Sequence, residues 1–345
     1  MNECCHPHPV QKRGLGIDYV LYGSLLLIFL SQLLDLAHVP FAGFSAFAST
    51  QREILRDMSW GLALGILSVG LINKVPREYF TALMGQGYSF RDIFKAALAG
   101  VALDMCNHGI LVISGKLYER GLSLPQVMAF LIASPWNSLS LTFILISLIG
   151  WQWTLAFTLA SLLIAVLSGL AARHLICKGV LPANPHSIAI PENFDLKADI
   201  RSRWKAFRFS GHWVRDVLLD GWHDSRMILR WIVFGAVIAS AMHAFIPVSL
   251  FSTWFGPSLF GLLVTLVFTT LLEVCSEGSV PISAEILKTA HAPGNSFAFL
   301  MAGVSTDYTE ILVVREFTKS WKIALFIPLV TVPQILVLGV LMNGW

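Results

Sequence analysis

Two short segments of the chain, 169 positions apart, place the same potentially reactive residue types in the same order. Each has an acidic residue two positions before a cysteine and a glycine three positions after it. The segments carry Asp104, Cys106 and Gly109, and Glu273, Cys275 and Gly278. A thiolate at such a position could bind a soft metal ion or a metalloid, and a buried free cysteine could equally be a small packed side chain. The residue types leave both interpretations open.

Further polar side chains lie inside or beside apolar segments, where a carboxylate at the bilayer centre costs about 2.5–3.5 kcal/mol on insertion scales. Such carboxylates usually line a pathway for cations or protons. His108 could be a ligand or proton relay, because its charge changes near neutral pH, or a hydrogen-bonded core residue. Amides and hydroxyls could supply oxygen contacts or cap broken helices. The pathway candidates are Asp104, Cys106, His108, Asn137, Glu273, Cys275, Glu277, Thr306, Asp307 and Glu310.

The two segments belong to a longer internal repeat, since Ala129-Phe-Leu-x-Ala133 recurs in register as Ala298-Phe-Leu-x-Ala302. Glycine and proline interrupt each copy, and irregular backbone at membrane depth persists only where protein or a water-filled cavity covers it. Interrupted segments at corresponding positions of two halves are typical of transporter binding sites. The residues expected to break helices are Gly109, Pro135, Gly278, Pro281 and Gly303.

Composition places these motifs in a membrane. Hydrophobic residues make up 55% of the 345 positions and charged residues 13%, whereas soluble domains carry about a quarter charged residues. Long apolar runs favour helices over barrel strands. The formal net charge of +3 is too small to indicate a nucleic-acid partner. We therefore expect the lipid bilayer to be the main partner, besides a small-molecule or ionic substrate.

Apolar runs predict an all-α, polytopic fold with about eight to ten spans. The candidate spans are 18–38, 57–74, 93–114, 126–149, 151–173, 227–247, 257–276, 294–314 and 321–343. They divide the chain into a tail (1–17), a first lobe (18–173, repeat motif 103–138), a polar basic linker (174–226) and a second lobe (227–345, repeat motif 272–307). Positive charge predicts that the linker is cytoplasmic, as we expect of the tail. Counting back from the linker puts the basic segment 74–95 outside. Either one candidate span re-enters without crossing, or the charge rule fails for the linker, and we expect a re-entrant or broken element.

The motifs resemble those of the ArsP/YraQ-type permeases across both lobes, from about residue 55 to the end. The resemblance rests on Cys106-Asn-His-Gly109 with Phe130-Leu-Ile-Ala-Ser-Pro135, and on Cys275-Ser-Glu-Gly-Ser-Val-Pro281-Ile282 with Phe299-Leu-Met-Ala-Gly303. It implies an efflux permease, since some members export trivalent organoarsenicals and others are linked to copper or zinc export. His108 and Glu277 stand where the family pattern has a second cysteine or its repeat equivalent, and Asp307 replaces an asparagine. These departures argue against a pure dithiol arsenic site.

We therefore expect a multi-pass protein of the cell (inner) membrane that acts as a secondary permease, without a cofactor and without enzyme activity. The chain contains no phosphate-binding G-x-x-x-x-G-K-[ST] motif. The alternatives are a membrane thiol oxidoreductase or other membrane enzyme, and a scaffold that transports nothing. Two candidate metal sites are open, one of Cys106, Cys275 and Glu277, and one of Cys4, Cys5, His6 and His8.

Overall fold

The computed structural model describes residues 19–37, 44–76, 79, 82, 85, 89–103, 107–133, 136, 139–187, 199, 201–202, 210–245, 254–272 and 276–344. Regular structure within these ranges is entirely α-helical, as the sequence predicts. The helices are α1 Tyr19–Leu36, α2 Phe44–Lys74, α3 Phe90–Ala102, α4 Asn107–Glu119, α5 Leu124–Ala133, α6 Leu139–Ile149, α7 Trp151–Cys177, α8 Gly211–Phe245, α9 Leu259–Leu272, α10 Ser276–Ala290, α11 Pro293–Ser305, α12 Tyr308–Thr318 and α13 Trp321–Met342.

Three of the candidate spans are each divided into two helices. The runs 93–114, 126–149 and 294–314 become α3 and α4, α5 and α6, and α11 and α12. Within the described residues, four segments are long and apolar enough to cross a membrane: Tyr19–Leu36, Trp151–Cys177, Pro293–Thr318 and Trp321–Met342. The others reach such length only as pairs of short helices or through partly polar helices such as α2.

Helix α8 begins at Gly211, within the stretch 174–226 that the sequence predicts to be a linker. Its first turns are polar, yet they pack along α2. Lys74 Nζ lies 2.9 Å from Asp220 Oδ2, and Asn73 donates to Asp224 at 2.7 Å. Polar partners on α2 thus extend the helix into a stretch whose composition is typical of a solvated linker.

Contacts at one end of the bundle define what we call the linker end. There Arg120, after α4, donates to Asn73 near the end of α2, and Asn184 of the linker donates to the carbonyl oxygens of Tyr118 and Leu122. The opposite end, which we call the far end, joins the start of α11 to the end of α13, where Asn343 accepts a bond from the Gly294 N–H. Each helix can be oriented between these ends.

The segment α3–α4 turns back within the bundle. A Cβ built on Gly169, near the end of α7, would touch both Ile93 at the start of α3 and Pro125 at the start of α5, and one on Gly100 would clash with Phe130. Therefore α3 and α5 run side by side in the same direction from the linker end. Since α5 starts at that end, α4 must return to it. The end of α2 and the start of α3 therefore lie at the same end of the bundle as the linker residue Asn184.

Helices of the second half make comparable contacts at the far end. A Cβ on Gly339 of α13 would meet Leu262 of α9 and Gly294 of α11, and residues 262 and 294 lie 169 positions after Ile93 and Pro125. Helices α9, α10, α11 and α12 begin 169 positions after α3, α4, α5 and α6. All residues of α5 are buried, and so are all of α11 except its first. These two helices therefore form the centre of the bundle.

Candidate functional site

In the described part of the chain, residues beside the helix interruptions of both halves contact one another. The hydroxyls of Thr270 and Thr306 lie 2.6 Å apart and join the ends of α9 and α11. Trp136, between α5 and α6, donates to Met301 Sδ of α11 at 3.3 Å. These contacts link interruptions of both halves. Helices α4 and α12 meet at their first turns, so their positive dipole ends lie close together.

One hydrogen bond at this centre connects the two halves through an acidic side chain. Asn107 Nδ2, in the first turn of α4, donates to Glu310 Oε1 in the first turn of α12. Both side chains are buried, and the exposed fraction of Glu310 is only 1%. Burying a carboxylate is costly unless hydrogen bonds or charges compensate it. Of the predicted pathway residues, Glu310 is therefore the one that the described structure places most clearly at the centre.

Several buried polar atoms near these helix starts have no hydrogen-bond partner among the described residues: His108 Nδ1, Asn107 Oδ1 and Thr309 Oγ1. Ser114 Oγ, further along α4, is in the same condition. Buried polar groups are nearly always hydrogen-bonded, and leaving one unpaired costs about 1–3 kcal/mol. These atoms are consequently candidates to bind water, an ion or a polar solute.

Two other predicted pathway residues have structural tasks. Asp307 is the N-cap of α12, and its Oδ1 accepts from the Thr309 N–H at 2.8 Å. Thr306 Oγ1 donates to the carbonyl oxygen of Ala302 at 2.7 Å and contacts Thr270. The capping alternative for Thr306 therefore describes its contacts well. For Asp307 the cap bond occupies one carboxylate oxygen and does not exclude a further role.

The interruptions lie beside the glycines and proline expected to break helices, not at them. Gly109, Gly278, Pro281 and Gly303 all lie inside helices. A Cβ built on Gly65 of α2 would lie 3.1 Å from Gly109 Cα, so these glycines allow two backbones to approach closely. Gly303 is similarly close to Thr269, at 3.3 Å from its built Cβ to Cγ2. Small residues act here in packing, which is their usual role between membrane helices.

Other predicted site residues lie outside the described part of the chain. These are Asp104, Cys106, Pro135, Asn137, Glu273 and Cys275, with Cys4, Cys5, His6 and His8. Glu277 belongs to the first turn of α10, but its side chain is outside the description. Among the described residues, no three His, Cys, Asp or Glu side chains form a group that could hold a metal ion. Both candidate metal sites stay predictions.

An ionic cluster at the linker end was not indicated by any sequence motif. Lys116 Nζ, near the end of α4, lies 2.6 Å from Asp224 Oδ2 of α8. Glu316 of α12 lies 2.6 Å from both Arg230 of α8 and Lys319. The partners in each cross-helix pair are far apart in sequence, so spacing carries no signal for them. The two pairs hold the outer ends of α4 and α12 against α8.

Comparisons with known proteins find related sequences. No solved structure matches the chain. A Streptococcus mutans protein, named as a candidate subunit of a two-component membrane permease complex, is 21% identical over 88% of this chain and 98% of its own length. The UPF0718 protein YcgR of Bacillus subtilis is 23% identical over 79% of this chain and 88% of its own length, and a candidate permease of Mycobacterium tuberculosis is 26% identical over 66% and 59%. The family model described as "Predicted permease" (ArsP_1) matches residues 44–344. The chain therefore belongs to the ArsP_1 family of predicted permeases.

Proposed function

We propose that this protein is a secondary permease that moves a small solute across the cell membrane by alternating access. The observation that carries the proposal is the buried hydrogen bond between Asn107 and Glu310, which joins the first turns of two helices that follow interruptions in different halves. A buried carboxylate at such a point is suited to handle a proton or a cation. Discontinuous helices with sites at their inner ends are a recurring design of secondary transporters.

We propose further that the two halves are inverted repeats. In each half, the long first helix (α2 or α8), the α5–α6 or α11–α12 pair, and the last helix cross between the ends, an odd number of crossings. The second half then starts from the opposite end. The common offset of 169 positions supports this view, as does an exchange of contacts, since α4 packs on α12 while its counterpart α10 packs on α6. Inverted repeats allow one packing to be exchanged for its mirror arrangement.

We propose that the structure represents the state of the transport cycle in which the central site is closed toward the linker end. The ion pairs Lys116–Asp224 and Arg230–Glu316 hold α4 and α12 on α8 there. In the described part of the chain, their counterparts α10 and α6 form no ion pair at the far end. Release of the linker-end pairs would accompany opening toward that end. We take the linker end to be cytoplasmic, because basic residues such as Lys74, Arg91 and Lys178 are concentrated there.

The proposed cargo is a soft metal ion, a trivalent metalloid or organoarsenical, or another small solute, and the proposed direction is export. Support for this range comes from the family and from Cys106 and Cys275, which adjoin the first residues of α4 and α10. Thiolates prefer such soft cargo. Glu310, with its neighbour Asp307, would handle the coupling proton or cation, and His108 is a candidate relay.

Flux into everted membrane vesicles tests the proposal. We would add trivalent organoarsenicals, arsenite, Zn(II) or Cu(I) to the outside of the vesicles, with and without an imposed pH gradient. We expect uptake of at least one cargo by the wild type and a loss of about tenfold or more in Glu310→Gln, whose side-chain oxygen can still accept from Asn107. Glu285→Gln is the matched control, because Glu285 is exposed on α10. No flux of any cargo, together with unchanged resistance of cells, would overturn the proposal.

A further inference from the structure

Helix α1 lies outside the region that matches the family model, which begins at residue 44. It is attached near its two ends by polar contacts. At the linker end, Arg226 of α8 approaches Tyr22, with Cζ 5.9 Å from the ring centroid. Toward the far end, Arg52 of α2 pairs with Asp35 at 3.0 Å, and Ser31 bonds to Gln51 at 2.5 Å. Between these attachments the helix does not close onto its neighbours.

The gap between α1, α2 and α8 is an apolar groove of about 420 Å³. This size falls in the range of pockets that hold small molecules, about 300–1,000 Å³. Most of its lining is aliphatic, including Leu25, Ala63 and Val233, and Arg226 is the one charged residue among those that line it. The groove is therefore suited to a molecule with a long apolar part and an anionic group.

We expect Arg226 to lie near the lipid headgroups. It directly precedes the apolar candidate span 227–247, and Tyr22 and Trp222 beside it are half exposed. Aromatic side chains of this kind concentrate at the membrane–water interface. Among the described residues, no carboxylate is within ion-pairing distance of Arg226. Its positive charge is thus available to an external anion at headgroup depth.

We propose that this groove binds an anionic phospholipid, with one acyl chain between α1, α2 and α8 and the phosphate on Arg226. Basic pockets between membrane helices on the cytoplasmic side recognise anionic headgroups in this way. One arginine at the membrane surface contributes enough for a preference of about fivefold over a zwitterionic lipid of the same chains. The lipid would fix α1 to the two long helices α2 and α8, and would do so whether or not the protein is a permease.

Native mass spectrometry of the full chain, purified in detergent and freed of lipid, tests the site. The probes are phosphatidylglycerol, phosphatidylcholine of identical chains, and inorganic phosphate. We expect about fivefold tighter binding of phosphatidylglycerol than of phosphatidylcholine, and no binding of phosphate alone. Arg226→Gln should abolish the preference and Arg226→Lys should retain most of it. Lys322→Gln is the matched control, because Lys322 is an exposed cation at the same end but outside the groove.

A photo-crosslinking amino acid at Leu25 identifies the occupant in membranes. We expect an adduct of phospholipid mass, which Ala63→Trp should suppress by filling the groove. Equal binding of the two lipids, or an Arg226→Gln variant that keeps the preference, would overturn the proposal. Capture of a polypeptide at Leu25, whether a second copy or a partner subunit, would overturn it as well.

Discussion

At the scale of single residues, the contact that matters most joins Asn107 to Glu310 across the two halves. The sequence predicts Glu310 as a pathway residue, because a carboxylate follows an interrupted apolar segment. It does not predict Asn107, although Asn107 lies inside the motif that carries Cys106 and His108. The repeat aligns Asn107 with Ser276 and gives no sign that its partner lies 203 positions away. Equivalent positions in two copies of a repeat predict which residues are related by symmetry, but they do not predict which residues contact each other.

A double-mutant cycle measures this contact. Asn107→Ala removes the donor and leaves a buried carboxylate without it, so we expect a loss of about 1–3 kcal/mol in the free energy of unfolding. In the Glu310→Gln background the same substitution should cost clearly less, since a neutral amide is cheaper to leave unpaired. Unfolding in detergent, followed by circular dichroism, gives the four values. Additive effects of the two substitutions would contradict the contact.

At the scale of helices, periodicity and apolar runs predict where segments lie, while the breaks depend on what packs around them. Gly109 and Gly303, which are expected to break helices, lie inside them. Between close-packed helices, a glycine lets two backbones approach closely, and this gain outweighs its low helix propensity. The start of α8 at Gly211 shows the same limit, since its polar residues are stabilised by α2. Cross-helix partners of this kind leave no trace in local sequence.

Close packing of α2 on α8 predicts a sharp difference between two glycines. A Cβ on Gly221 would clash with the carbonyl oxygen of Ile66, whereas one on Gly23 of α1 meets nothing within 4 Å. We expect Gly221→Ala to lower the free energy of unfolding by about 1–3 kcal/mol. Gly23→Ala should be neutral or stabilise slightly, by up to about 1 kcal/mol. Thermal unfolding of the two variants compares them, and equal midpoints would contradict the described packing.

Two aspartates one turn apart on α8 separate a partly buried ion pair from an exposed one. Asp224 pairs with Lys116, whose side chain is only 10% exposed, whereas Asp220 pairs with the more exposed Lys74. We expect Asp224→Ala to lower the free energy of unfolding by about 1–3 kcal/mol. Among the described residues, Lys116 would then keep only the more exposed Glu119 as an ion-pair partner. Asp220→Ala should cost about 0–1 kcal/mol. An equal loss of unfolding free energy in both variants would contradict a larger contribution from the partly buried pair of Lys116 and Asp224.

At the scale of the whole molecule, the basic residues of segment 74–95 conflict with a simple count of membrane crossings. A simple count of apolar runs separates these basic residues from the basic linker, and a re-entrant segment restores them to one side. The return of α4 to the linker end has this consequence. Sequence alone could not say which candidate re-enters, because α3 and α4 together are as long and apolar as a true span.

Thiol labelling of intact cells tests this topology. In a background without other cysteines, we would compare single cysteines at Ser89, at the native position Cys177 and at Lys288, all exposed in the structure. We expect Ser89→Cys and Cys177 to react only after the cells are opened, and Lys288→Cys to react with an impermeant reagent outside. Labelling of Ser89→Cys together with Lys288→Cys in intact cells would contradict the re-entrant path.

The most direct test of the alternating-access account is the accessibility of residue 108 from each side of the membrane. His108→Cys, in the same cysteine-free background and in oriented vesicles, places one thiol at the start of α4, beside the buried contact between Asn107 and Glu310. We expect an impermeant thiol reagent to modify it from either face, at rates that change in opposite directions when the linker-end pair is removed by Asp224→Ala. Modification from one face alone in both backgrounds, or from neither, would contradict a central site that opens alternately to the two sides.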